Sequence, residues 1–319
     1  MSRAPAAGER LVLLGAEHRL FDHVTLVAAA DGRTALAISP GALPEPRFWA
    51  TKGNRQFPNE DACCALESGD ATVLAVADAH FGRESSHVFI TAIAAAPPAC
   101  EASSFAELRR RLAALPPLEN CQTASTLVVA VVDRVQGRVQ ALGFGDSRLC
   151  VLGPSGARSL LAPDHDFVRP GEREPLLDGR EPQSFPVARG ELVVAYSDGL
   201  CDAFGEGIGL APDALAELAA AGGFDPRHFA RAAAEAALAE PSPGAASGRD
   251  NLAIAVTRVG VHGRAWHGRE PRAAGETDAV ESHLRGQAEV ERVRRHRCRP
   301  AQFETALSGR MPALVEARV

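Results

Sequence analysis

Lysine is almost missing from this chain. Lys52 is the single lysine among 34 basic residues, which face 40 acidic ones for a formal net charge of −6. That balance leaves no electrostatic footprint for a nucleic acid, and the replacement of lysine by arginine reads as compositional bias. Long apolar runs are lacking too. No stretch approaches the ~20 apolar residues of a membrane-spanning helix, and the run LVLLG at 11–15 is too short for the core of a signal peptide. Paired cysteines are also absent. The seven cysteines (63, 64, 100, 121, 150, 201, 298) are odd in number and show no CxxC spacing, which argues against a zinc site and suits reduced thiols in a cytosol. The expectation is a soluble cytoplasmic protein with no nucleic-acid partner and no membrane span.

With 319 residues, 46% of them apolar and 23% charged, the chain can hold one principal domain with appendages. Residues 1–46 read as an N-terminal extension carrying a β-hairpin, because two strand-like runs between Val24 and Ser39 flank the turn-forming Asp31-Gly32. The prolines of PGALPEP at 40–46 break regular structure, and a main domain spans 47–259. Buried strands are expected at 72–77, 125–132, 192–196 and 252–257, with hairpin-linked strands between 132 and 152. Helices alternate with them at 86–95, from Ser103 onward, at 213–221 and at 226–239. Residues 260–319 form an Arg-rich tail with one amphipathic candidate helix near 278–295. It reads as a solvated helix or loose tail, with a partner-docking element as the alternative.

Acids stand at the margins of the apolar runs. Asp78 follows the strand 72–77, Asp198 follows LVVAYS, Asp250 precedes the strand 252–257, and Glu60-Asp61 close NRQFPNED. One carboxylate at such a margin is most often a cap or turn former. Four along one sheet edge would repel one another unless a cation compensates. Oxygen ligands without cysteine or clustered histidine select hard ions, Mg²⁺ or Mn²⁺. Two such ions can activate a water and clamp a phosphoryl group.

In order, NRQFPNEDA, VADAHFG, TASTLVV, GFGDSRLCVL, LAPDHD, YSDGLCDAF and GRDNLAIAV resemble the successive motifs of the protein phosphatase 2C family of metal-dependent serine/threonine phosphatases. The resemblance covers about residues 47–259. It implies an α+β fold: a four-layer α-β-β-α sandwich of two mainly antiparallel sheets flanked by helices, with a binuclear metal centre at one end. By the same resemblance Asp78 bridges both ions, Ala79 offers a backbone carbonyl where the family has glycine, and Asp198 and Asp250 complete the carboxylate ligands. If the family's glycine requires positive φ, alanine there is strained. Glu60 and Asp61 match an acidic pair that binds or orients metal-bound waters, and Asp146 matches a third, weaker metal position.

His80 is similar to a general acid that protonates the departing serine or threonine oxygen. Arg55 resembles the arginine that clamps the substrate phosphate. It stands six residues before Asp61 where the family has five, so Lys52 is an alternative for that task. His165 reads as structural. The stretch 148–196 is shorter than in many relatives, which implies a more open substrate site.

The resemblance thus implies a hydrolase that dephosphorylates a phosphorylated protein substrate, with a serine/threonine kinase as signalling counterpart. No cysteine heads a glycine-rich anion cradle of the kind a cysteine-nucleophile phosphatase needs. Two other readings stand beside it: a catalytically weak binding or regulatory module, and a metal phosphatase for a small phosphomonoester.

Overall fold

The computed structural model describes residues 8–42, 56–68, 70–96, 102–119, 123–177, 180–201, 210–239 and 250–260. Their strands are β1 (Arg10–Leu14), β2 (Thr25–Ala28), β3 (Thr34–Ser39), β4 (Asp61–Glu67), β5 (Ala71–His80), β6 (Ala124–Ser125), β7 (Leu127–Asp133), β8 (Arg138–Phe144), β9 (Arg148–Gly153), β10 (Gly156–Ser159), β11 (Gln183–Pro186), β12 (Leu192–Tyr196) and β13 (Leu252–Arg258). The helices are α1 (Glu84–Ala94), α2 (Ala102–Ala113), the short α3 (Arg173–Leu177), α4 (Pro212–Ala221) and α5 (Pro226–Leu238).

One seven-stranded sheet runs β1-β4-β5-β7-β8-β11, with β6 attached to β5. The six-stranded partner runs β10-β9-β12-β13-β3-β2, and the strand pairs of both sheets are antiparallel. Strand periodicity explains the layers, because successive side chains point to opposite faces. In β5, Leu74 and Val76 enter the core between the sheets, while Val73, Ala75 and Ala77 pack beneath α1 and α2. In β13, Ala253 and Ala255 face the other sheet, and Leu252, Ile254 and Val256 meet α4 and α5. Both strands therefore carry apolar side chains on both faces, and the fold is the α-β-β-α sandwich expected from the sequence.

The helices fall near their expected places. In α2, Phe105, Leu108 and Leu112 are buried on one face as the spacing predicts. The expected hairpin is present as β2 and β3. Residues 10–39 also reach both sheets, since β1 pairs with β4 and β3 pairs with β13. Two further strands escaped the sequence reading: β1, whose run is short and largely not buried, and the buried β4, whose DACCALE follows directly on a turn-rich stretch. The short strands β10 and β11 were missed because their side chains are largely exposed and carry little apolar signal. The candidate helix near 278–295, Lys52 and Arg55 lie outside the described residues.

A buried polar clamp ties the two sheets together. Glu67 on β4 accepts a hydrogen bond from Thr34 on β3, which also touches Thr257 on β13 at 2.9 Å. Arg134 approaches Glu67 at 3.7 Å and donates to Thr72 and to the carbonyls of Ser68 and Ala71. Burial raises the Glu67 pKa, while the Thr34 hydroxyl and, more weakly, Arg134 oppose the rise. A raised folded-state pKa gives stability that is complete below the unfolded value and is lost as pH rises through the folded one. Arg134→Met is therefore expected to cost about 3 kcal/mol at pH 7 by leaving a buried charge uncompensated. The cost should shrink toward pH 4 as Glu67 takes up a proton, and urea titrations at the two pH values check it.

Cys63, Cys64 and Cys150 are free and buried. Burial lifts the latter two to about 12.

Candidate metal centre

The acids converge because strand ends converge. Asp61 opens β4 and lies opposite Asp78 in the β4–β5 register. β5 then outruns β7, and its last residues, Ala79 and His80, pair with Ser125 and Ala124 of β6. The sequence reading ended this strand at Ala77; pairing with β6 carries it on to His80. Asp78 is fixed on both backbone sides. Its N–H donates to Thr126 Oγ1 at 2.9 Å, and its carbonyl accepts from Thr126 N–H at 2.8 Å and Ser125 Oγ at 3.0 Å.

Asp146 lies in the turn between β8 and β9. Gly145 makes that turn at φ +80°, where an added Cβ would meet Thr126 Cγ2 at 2.7 Å. Asp164 accepts the Gly145 N–H at 2.8 Å, and Gly145 O accepts the Asp164 N–H at 2.8 Å. Ser147 Oγ stands 2.6 Å from Thr126 Oγ1, so the Asp146 turn and the Asp78 strand share one threonine. Burial raises the Asp146 pKa; His80, the residue's own backbone, His165 and Arg148 pull against it.

Asp198 leaves β12 in a single turn of 3₁₀ helix, Asp198–Leu200. Three side chains meet here: one carboxylate oxygen from each of Asp78, Asp146 and Asp198 lies within 4.8 Å of the others. Asp78 and Asp198 are buried, and Asp146 Oδ1 is buried with no hydrogen-bond partner. Such oxygens in one small volume fit a hard divalent cation, both as a donor set and as a charge that needs neutralising.

The other expected residues surround this group. Asp250 is half-buried, its Oδ1 accepts the Asn251 N–H at 2.7 Å, and it stands outside the 4.8 Å trio. Asp146, expected at a weaker third position, stands within the trio. Glu60 is buried, its N–H donating to Asn251 Oδ1 at 2.9 Å and its carbonyl accepting from Ser86 Oγ. Buried Asp61 accepts the Ser197 hydroxyl at 2.6 Å through Oδ2. Ala79 is buried and its φ is not positive, so alanine there is unstrained. The His80 ring packs edge-on against Phe167, with centroids 4.7 Å apart.

Thr126, Asp164, Ser197 and Asn251 were missed as supports of the site. Each belongs to a motif quoted for its neighbour, TASTL, APDHD, YSDG or GRDN. Their polar side chains beside apolar runs were the available signal.

Residues 86–260 match the family model described as Stage II sporulation protein E (SpoIIE), which is more than half of the chain. The chain belongs to the SpoIIE family. SpoIIE is protein phosphatase 2C-like, in keeping with the motif resemblance. No curated protein sequence matches this SpoIIE member. Solved structures that resemble it include the following three. The PPM Ser-Thr phosphatase MsPP from Mycobacterium smegmatis, in complex with cacodylate, is 20% identical, with 73% of this chain and 100% of that chain covered and a TM-score of 0.47. The Mycobacterium tuberculosis serine/threonine phosphatase PstP/Ppp is 19% identical over 72% of this chain and 99% of that one, with a TM-score of 0.47. PppA, a regulatory component of T6SS in Pseudomonas aeruginosa, is 20% identical over 71% and 97%, with a TM-score of 0.48.

Proposed function

We propose that this SpoIIE-family chain hydrolyses phosphoserine or phosphothreonine in proteins, with Mg²⁺ or Mn²⁺ held by Asp78, Asp146 and Asp198. The observation that carries the reading is the meeting of those three carboxylates within 4.8 Å, around a buried Asp146 oxygen without a partner. When bound, a pair of hard cations supplies a water of lowered pKa and positive charge for the phosphoryl oxygens.

The chain's own residues do the rest. Asp250 and the Ala79 carbonyl extend the ligand set, and a third, weaker ion would share Asp146. Glu60 and Asp61 orient waters, the latter steadied by Ser197. His80 gives its proton to the departing seryl or threonyl oxygen, and Phe167 fixes the ring plane. Arg55 forks the substrate phosphate. A cytoplasmic signalling role, opposite a serine/threonine kinase, follows from this chemistry. No described helix is long and apolar enough to cross a membrane.

The alternative of a catalytically weak module loses one of its motives, since Ala79 carries no backbone strain. The test is direct: purified protein with Mn²⁺ should release phosphate from a phosphoserine peptide and fall silent in excess EDTA. Full turnover in EDTA would overturn the mechanism. A protein that neither turns over nor takes up Mn²⁺ would favour the module.

A further inference from the structure

Directly after His80 the backbone does something costly. Phe81 adopts φ +62°, a left-handed conformation that bulky L-residues seldom hold. Two other non-glycine residues described share that region, Asp22 and Phe224. Aspartate tolerates it, and the Phe224 ring packs against the core beneath α4 and α5. Phe81 is 69% exposed, so burial returns little for the strain. It is the one aromatic among the exposed large apolar residues described, the others being Val12, Leu20 and Val135.

Position narrows what such a ring can do. Consecutive Cα atoms are about 3.8 Å apart, so Phe81 is pinned beside His80 and three residues from Asp78. Gly82, at φ +141°, continues the turn into α1. Backbone strain held by a side chain facing water, next to the histidine proposed above as general acid, points to a functional position.

We propose that Phe81 is a specificity-determining residue that holds a large apolar side chain of the substrate protein, adjacent in sequence to the phosphorylated residue. This deepens the phosphatase reading and rests on it. A flat, rigid ring offers contact area at small entropic cost, and the mouth of a hydrolytic site is where a substrate's flanking residues must pass.

Binding tests this without relying on turnover. Two fluorescent peptides carry a phosphonate analogue of phosphoserine, whose C–P bond replaces the scissile O–P bond, and differ in having leucine or serine beside it. With Mn²⁺ present, the wild-type protein should bind the leucine peptide about 5–10-fold more tightly, as expected for one apolar side chain finding a partner. In Phe81→Gly the preference should fall below twofold while the melting temperature holds or rises, because glycine suits φ +62°. Phe81→Asn, which also tolerates that conformation, should behave alike. No preference in the wild type, an undiminished preference in both variants, or a fall in melting temperature that accounts for the change would overturn the proposal. Equal binding of phosphonate and non-phosphorylated leucine peptides would instead sink the phosphatase reading, leaving the leucine-over-serine comparison to stand or fall separately.

Discussion

Asp198→Asn should lower phosphopeptide turnover by about 10²–10³-fold, the scale seen when one preorganised electrostatic group is removed from a catalytic site. The substitution keeps the shape of the side chain and removes its charge. Because Asp198 shares a 4.8 Å group with Asp78 and Asp146, the loss should also appear in calorimetry as a weakened Mn²⁺ titration. The same change should have the opposite effect on the metal-free fold. Three buried or half-buried carboxylates repel one another when nothing neutralises them, so in EDTA the variant should melt about 2–4 °C higher than the parent. Damage to the fold would lower activity and melting temperature together, whereas a ligand role separates them. An Asn variant with parental turnover and parental Mn²⁺ affinity would remove Asp198 from the site.

Gly199→Ala is expected to be the most damaging added methyl group among the described glycines. A Cβ there would stand 1.8 Å from Asn251 O and 2.8 Å from Asn251 C, both backbone atoms. Asn251 cannot easily retreat, since its side chain accepts the Glu60 N–H and donates to Pro40 O at 2.9 Å. Ser197 is equally held, its Oγ accepting the Ala253 N–H at 2.8 Å and donating to Asp61. Forcing the Asp198 turn away from Asp250-Asn251 should cost about 3 kcal/mol, or about 6–12 °C in melting temperature for a domain of this size. The metal-ligand geometry should go with it. Gly260→Ala, where the added methyl meets nothing within 4 Å, supplies the control and should leave both unchanged.

The acids were legible one by one because each interrupts an apolar run, and β5, β12 and β13 were legible because their apolar runs are buried on both faces. Their grouping was harder to read. Asp146 joins Asp78 through Thr126 and Ser147, a contact between β5, the β6–β7 junction and the β8–β9 turn that no local pattern announces. Likeness to a glycine left open whether Ala79 must hold a positive φ. The strand continues through Ala79 because β6 pairs with it, and the reversal falls at Phe81. β4 was hidden because its buried face is built of alanine and cysteine, which signal a strand weakly, and because it starts on the last residue of a turn.

The pairing of β3 with β13 joins Ser39 to Leu252 and Thr34 to Thr257. The middle of one sheet is therefore sewn from the two far ends of the sandwich, and β13 separates β12 from β3. On a ribosome, β3 would wait with an open edge until residue 252 and beyond had emerged, and a chain cut short before residue 252 would be left with two sticky borders. Such fragments should aggregate or be degraded rather than persist as smaller folded proteins, and the full chain should fold slowly, as contacts this distant in the chain demand.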